Sequence, residues 1–137
     1  MNNLLYTSLV LTEESKRLLL DEVMKFAPKW ENGRIIAEHH TIAFHTNMID
    51  EILDWCMENE GKMFRVFAYE YGVSDKAFAV KLETDIPCAN EIKHITVMTN
   101  PDNGGKPVDS NNIKDWKEMP VITLSGYVKF NFKNTKR

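Results

Sequence analysis

Long hydrophobic runs are missing from this chain. No apolar stretch approaches the roughly 18 residues of a membrane span, so no membrane partner is expected. The opening residues Met1 to Tyr6 carry neither a charged leader nor a long apolar segment, and no secretory signal is read there. Cysteine is nearly absent. Cys56 falls on an apolar helix face and Cys88 follows Pro87, without the spacing of a zinc site. Both read as free thiols of a reducing, cytoplasmic compartment. Positive charge is short as well: 17 Lys and Arg face 20 Asp and Glu, for a net charge of −3. A protein that grips long duplex nucleic acid through its phosphates carries a basic field instead. The only basic cluster, Lys129, Lys133, Lys136 and Arg137, reads as a solvated tail. A nucleotide ligand of such a protein is small, or presents only a chain end. Neither a linker nor a low-complexity segment interrupts the sequence, and 137 residues suffice for one core. The expectation is a single domain over residues 1–137.

What the chain does have is one short pattern twice. The first copy is Glu38-His39-His40-Thr41-Ile42-Ala43-Phe44, the second Lys93-His94-Ile95-Thr96-Val97-Met98. Each reads as a β-strand carrying His-x-Thr. Side chains alternate faces along a strand, so His39 and Thr41 share one face, as do His94 and Thr96. His40 and Ile42, like Ile95 and Val97, point the other way. Phase therefore selects His39 over His40 as the functional imidazole.

The surrounding elements follow from periodicity and punctuation. Leu4 to Val10 reads as a strand. Thr12 is a helix N-cap, with Glu13 and Glu14 in the first turn and Leu19, Val23, Phe26 and Ala27 at helical spacing up to Pro28. Ile35 to Phe44 reads as one strand. Asn47 caps a second helix with an apolar stripe of Ile49, Ile52, Leu53 and Cys56, closed by Asn59-Glu60-Gly61. Met63 to Tyr71 and Ala77 to Glu83 form a hairpin about a turn at Gly72 to Asp75. The second motif strand follows, then a loop from Asn100 to Pro107, one helical turn within Ser110 to Trp116, and a last strand after Pro120. The order β-α-β-α-β-β-β-(short α)-β predicts an α+β domain.

Histidine titrates near neutrality. Two of them flanking a phosphorus can divide the proton work, one taking a proton from water and the other giving one to the departing oxygen. Hydroxyls two residues away can hold the non-bridging phosphate oxygens in line. That chemistry needs no metal and no cofactor, and it suits a phosphodiester whose leaving group is a ribose oxygen. A metal cluster of His39, His40, His45 and His94 is conceivable, but no acid or cysteine has ligand spacing to it. For stacking a nucleobase, Tyr6 is the first choice and Trp116 the second among the aromatics, at about 1–3 kcal/mol for such a contact. Lys106, in Gly104-Gly105-Lys106-Pro107, is a candidate phosphate contact, although the stretch lacks P-loop spacing.

His39-His40-Thr41-Ile42 and His94-Ile95-Thr96-Val97 resemble the paired motifs of the 2H phosphoesterase superfamily. The second copy, with Lys106, Pro107, Ser110 and Trp116 behind it, also looks like the cyclic phosphodiesterase domain of tRNA ligases. The resemblance runs over essentially the whole chain, because the element order agrees as well. It implies a two-lobed fold with pseudo-twofold symmetry, antiparallel sheets lining a central cleft and helices outside. It implies His39 and His94 as acid and base and Thr41 and Thr96 as phosphate ligands. The implied activity is metal-independent hydrolysis of a 2′,3′-cyclic phosphate on a nucleotide or short RNA end. Two alternatives stay open: a phage-type nuclease that cuts cyclic oligonucleotide defence signals, acting in the host cytoplasm, and a binding module without turnover.

Overall fold

Thr12 starts the first helix as its sequence position requires. In the computed structural model, which describes residues 3–133, the Thr12 hydroxyl accepts the Ser15 N–H at 3.1 Å. Helix α1 runs Glu13–Val23 and follows strand β1, Leu4–Leu11. Leu19 and Val23 are fully buried, each such side chain stabilising the fold by roughly 1.5–3 kcal/mol. The helix does not continue to Ala27. A 3-10 turn, Met24–Phe26, takes over ahead of Pro28, whose ring disfavours helical backbone in the residue before it.

The largest departure from expectation lies at residues 35–44. The sequence predicts one strand; two form, β2 at Arg34–Ile35 and β3 at His39–Phe44. Between them Ala37 takes φ +46°, a left-handed conformation that costs a non-glycine residue roughly 1–2 kcal/mol. The kink moves the chain from one partner to another. Before it, the Ile36 and Ala37 N–H groups donate to Val97 and Thr96 carbonyls at 2.8 and 3.1 Å. After it, the Glu38 carbonyl accepts the Leu11 N–H at 3.0 Å.

Helix α2 spans Asp50–Asn59 with Ile49 at its N-cap. Asn47 does not cap it, because its Oδ1 accepts the Phe44 N–H at 2.8 Å and closes the preceding turn instead. Gly61 lies just past its end at φ +79°, where glycine is favoured. Strands β4 (Met63–Val73) and β5 (Ala77–Glu83) form the expected hairpin, with the turn two residues later than Gly72. Ser74 sets it, its hydroxyl accepting the Lys76 and Ala77 N–H groups at 3.1 Å. Strand β6 is His94–Thr99. The turn expected within Ser110–Trp116 forms earlier, as a 3-10 segment at Pro107–Asn112, since Pro107 presets its first residue. Strand β7 then runs Trp116–Phe132, straight through Pro120. The pairing of β4 with β7 slips between Ala68 and Glu70, and this bulge takes in the residue that has no N–H to give. Lys136 and Arg137 of the basic tail lie outside the described residues.

All strand pairs are antiparallel, in the order β2-β6-β5-β4-β7-β1-β3. Read outward from the β4/β7 pair, one half runs β4-β5-β6 and the other β7-β1-β3. These are the two lobes of an α+β fold, and each motif strand is third from the centre. The expected two sheets are thus one, curled until its ends approach. The loop after β5 completes the approach: the Ala89 N–H donates to the Ile42 carbonyl at 2.8 Å, which covers an otherwise open strand edge. Helix α1 packs on β7 and β1 and α2 on β7, outside the sheet's paired ends. The larger apolar cluster, including Leu9, Ile42, Val66, Phe78, Ile95 and Leu124, runs through both halves.

Candidate active site

The curl brings the two motif strands face to face. His39 and Thr41 of β3 and His94 and Thr96 of β6 line one cleft of about 340 Å³. Their alternate neighbours His40, Ile42, Ile95 and Val97 are buried on the other side, as the strand phase predicts. Tyr6 and Lys106 line the same cleft.

His94 is held by its own strand end. Its Nδ1 lies 2.9 Å from the Ile92 carbonyl. A carbonyl only accepts, so Nδ1 carries the proton and Nε2 is left without one. Burial pushes the His94 pKa below its usual 6.5, with the Ile92 bond acting against that. His39 is held by packing: its ring stacks on Tyr6 with centroids 5.4 Å apart and planes at 29°. Burial lowers its pKa too, and the negative charge of Glu38 offsets part of the fall. Burial thus favours the neutral imidazole at both positions.

The two threonines differ. Thr41 has no hydrogen-bond partner for its hydroxyl within the described residues. Thr96 Oγ1 lies 2.8 Å from Ser110 Oγ and 3.2 Å from the Pro107 carbonyl. One proton cannot serve both, so Ser110 donates to Thr96 and Thr96 donates to Pro107. The 3-10 turn at Pro107–Asn112 thus fixes the Thr96 hydroxyl, and buried Ser110 is its support.

His40, set aside by strand phase, turns out to brace the site. Its Nδ1–H donates to the His94 carbonyl at 3.1 Å, which pins β3 to β6 across the gap between the sheet's two ends. Its Nε2 is buried without a partner, and burial drives its pKa down to about 4. Ile95, at the matching place in the other copy, has no atom that can make such a bond. His45 is exposed.

Trp116 does not reach the cleft. Its indole N–H donates to the Ile113 carbonyl at 3.2 Å. Its ring packs with Ala77, Ala79 and Ile113 and lies 4.9 Å beneath the Lys81 ammonium. Phe44, which sequence alternation assigns to the opposite face, lines the cleft instead. The β1/β3 register slips between Thr7 and Ser8, so Ile42 and Ala43 are successive core residues and Phe44 returns to the His39 side. Its ring lies 5.8 Å from Tyr6. Asn90 and Asn111, also on the cleft wall, carried no signal in the sequence beyond being polar loop residues.

A fungal RNA kinase shares this fold. Its crystal structure matches with a TM-score of 0.57 and 15% sequence identity, over 96% of this chain and 44% of that one. At that identity the likeness shows the fold alone, and the present chain spans less than half of the kinase structure's length. No protein-family model matches the chain, and no curated protein matches it.

Proposed function

We propose that the protein is a 2H-type phosphodiesterase that hydrolyses a 2′,3′-cyclic phosphate on a nucleotide or RNA end. The observation that carries the proposal is the meeting of His39, Thr41, His94 and Thr96, from two distant strands, around one cleft. The likeness to a fungal RNA kinase agrees with an RNA-end substrate.

In this reading the phosphate sits between the two imidazoles. One Nε2, neutral, removes a proton from the attacking water. The other imidazole, protonated, delivers a proton to the ribose oxygen as its bond to phosphorus breaks. Exchange of the leaving oxygen between the 2′ and 3′ positions exchanges the two roles. The phosphate's negative charge raises both pKa values on binding, which favours the protonated form of the partner that acts as acid. Thr41 donates to a non-bridging oxygen and holds the group in line. Thr96 turns its proton from the Pro107 carbonyl to the phosphate while Ser110 still donates to it. Tyr6, already stacked on His39, offers its remaining face to a base. Lys106 supplies positive charge.

Retention without turnover is the second reading, and the internal engagement of Thr96 favours it. A single-turnover assay separates the two: ligand released as hydrolysed product supports the enzyme, ligand recovered intact supports the binding module. Cyclic di- and trinucleotides belong in the same assay as substrates of the phage-type alternative. Activity in EDTA is expected, and loss of all turnover on chelation refutes the metal-independent scheme.

A further inference from the structure

A second cleft, of about 410 Å³, adjoins the first along β2 and the loop after β6. The two share Ile36, Lys106 and Pro107, so they lie side by side along these residues. Arg34 and Lys106 supply its positive charge, and Thr99, the cross-strand neighbour of Arg34, adds a hydroxyl. The one acid on its wall, Glu38, has its carboxylate 3.9 Å from Lys16. Among the described residues no carboxylate pairs with Arg34 or Lys106.

The walls are fixed. Asn32 donates to the Asp102 carboxylate at 3.0 and 3.3 Å, tying the segment before β2 to the turn after β6. The Lys106 N–H donates to Asp109 Oδ2 at 2.8 Å, and the Gly105 N–H to the Asn100 carbonyl at 2.8 Å. Gly105 admits no side chain: a Cβ there would overlap the Lys76 carbonyl oxygen.

We infer that this second cleft binds the phosphate next to the scissile one, so that the substrate class is an oligonucleotide rather than a mononucleotide. The inference rests on the phosphodiesterase reading for the identity of the first cleft. A chain of net charge −3 repels a polyanion at long range. The Arg34–Lys106 pair, neither member of which is ion-paired among the described residues, therefore decides where a strand lies. Arginine's planar fork matches phosphate oxygens with two charge-assisted hydrogen bonds. Lys106, on the shared wall, bridges the scissile and the neighbouring phosphate.

The test measures binding of product-like probes to the full chain at low salt. The probes are a nucleoside 3′-monophosphate, a linear trinucleotide ending in a 3′-phosphate, and a cyclic dinucleotide. The trinucleotide or the ring should bind about tenfold more tightly than the monophosphate, and which of them gains tells a chain end from a ring. Arg34→Ala should remove most of that gain, Arg34→Lys should keep part of it, and monophosphate affinity should not move. Equal affinities for all three probes in the unaltered protein, or a gain indifferent to Arg34→Ala, overturns the inference. Hydrolysis is followed in parallel. An Arg34-dependent gain without hydrolysis of any substrate keeps this site and removes the phosphodiesterase reading. Hydrolysis without the gain does the reverse.

Discussion

Lowering the pH from 7 toward 4 charges a side chain that the fold holds neutral. His40 is buried between the motif strands, with one nitrogen bonded to the His94 carbonyl and the other buried without a partner. Its pKa falls from 6.5 in the unfolded chain to about 4 in the folded one. The folded state therefore binds fewer protons than the unfolded state across that window, and stability drops as the pH falls through it. At about 1.4 kcal/mol per pK step the full loss is on the order of 3 kcal/mol. That is a large share of the roughly 5–15 kcal/mol of a typical domain. About half of it, roughly 1.5 kcal/mol, arrives between pH 6.5 and about 5, above most carboxylate titration. The assay is urea unfolding at a series of pH values, compared with His40→Asn. Asparagine places an amide N–H near the position of Nδ1, keeps a donor for the His94 carbonyl and does not titrate. His39 and His94 titrate in both proteins and cancel in the difference. The gap in unfolding free energy between the two proteins should shift by about 1.5 kcal/mol in favour of the variant over that interval. A gap that stays constant with pH refutes the reasoning.

Burial of both cleft histidines places the optimum of the kcat/KM profile below pH 6.5, with the kcat profile displaced to higher pH by the bound phosphate; a kcat/KM that rises between pH 7 and 8 contradicts this. Thr41→Val should lower kcat about 100-fold, the effect of losing one preorganised donor, and should exceed the effect of Thr96→Val, whose hydroxyl is already engaged; steady-state kinetics of the two variants decide it. Gly105→Ala puts a Cβ against backbone atoms of Lys76 and Asn100 that cannot yield. It should lower the unfolding midpoint in urea and raise KM through the displaced Lys106, and unchanged values of both count against the fixed-loop description.

The facing of the two motif strands was legible because strand phase needs only local alternation. His39, Thr41, His94 and Thr96 share the cleft, while His40, Ile95 and Val97 face inward. The N-cap of α1 was equally local. What sequence did not disclose depends on long-range closure. The break at Ala37 exists because the two ends of the curled sheet need a crossing segment, and no breaker residue marks it. Phe44 joined the site through a bulge, which resets alternation without a sequence signal. Trp116 follows a polar loop, yet the strand that begins at this residue turns its ring toward Ile113 and Lys81. Ser110 and His40 act through hydrogen bonds to residues distant in sequence, which single-residue reasoning does not reach.

The central claim is tested most directly by metal-free hydrolysis of 2′,3′-cyclic-phosphate-ended oligonucleotides, with cyclic di- and trinucleotides alongside, by the unaltered chain and by His39→Ala and His94→Ala. Turnover in EDTA is expected, with each variant folded and slowed by about 10²–10⁴-fold, the contribution of one positioned acid or base. Full activity in either histidine variant, or no turnover of any of these substrates by the unaltered chain, contradicts it.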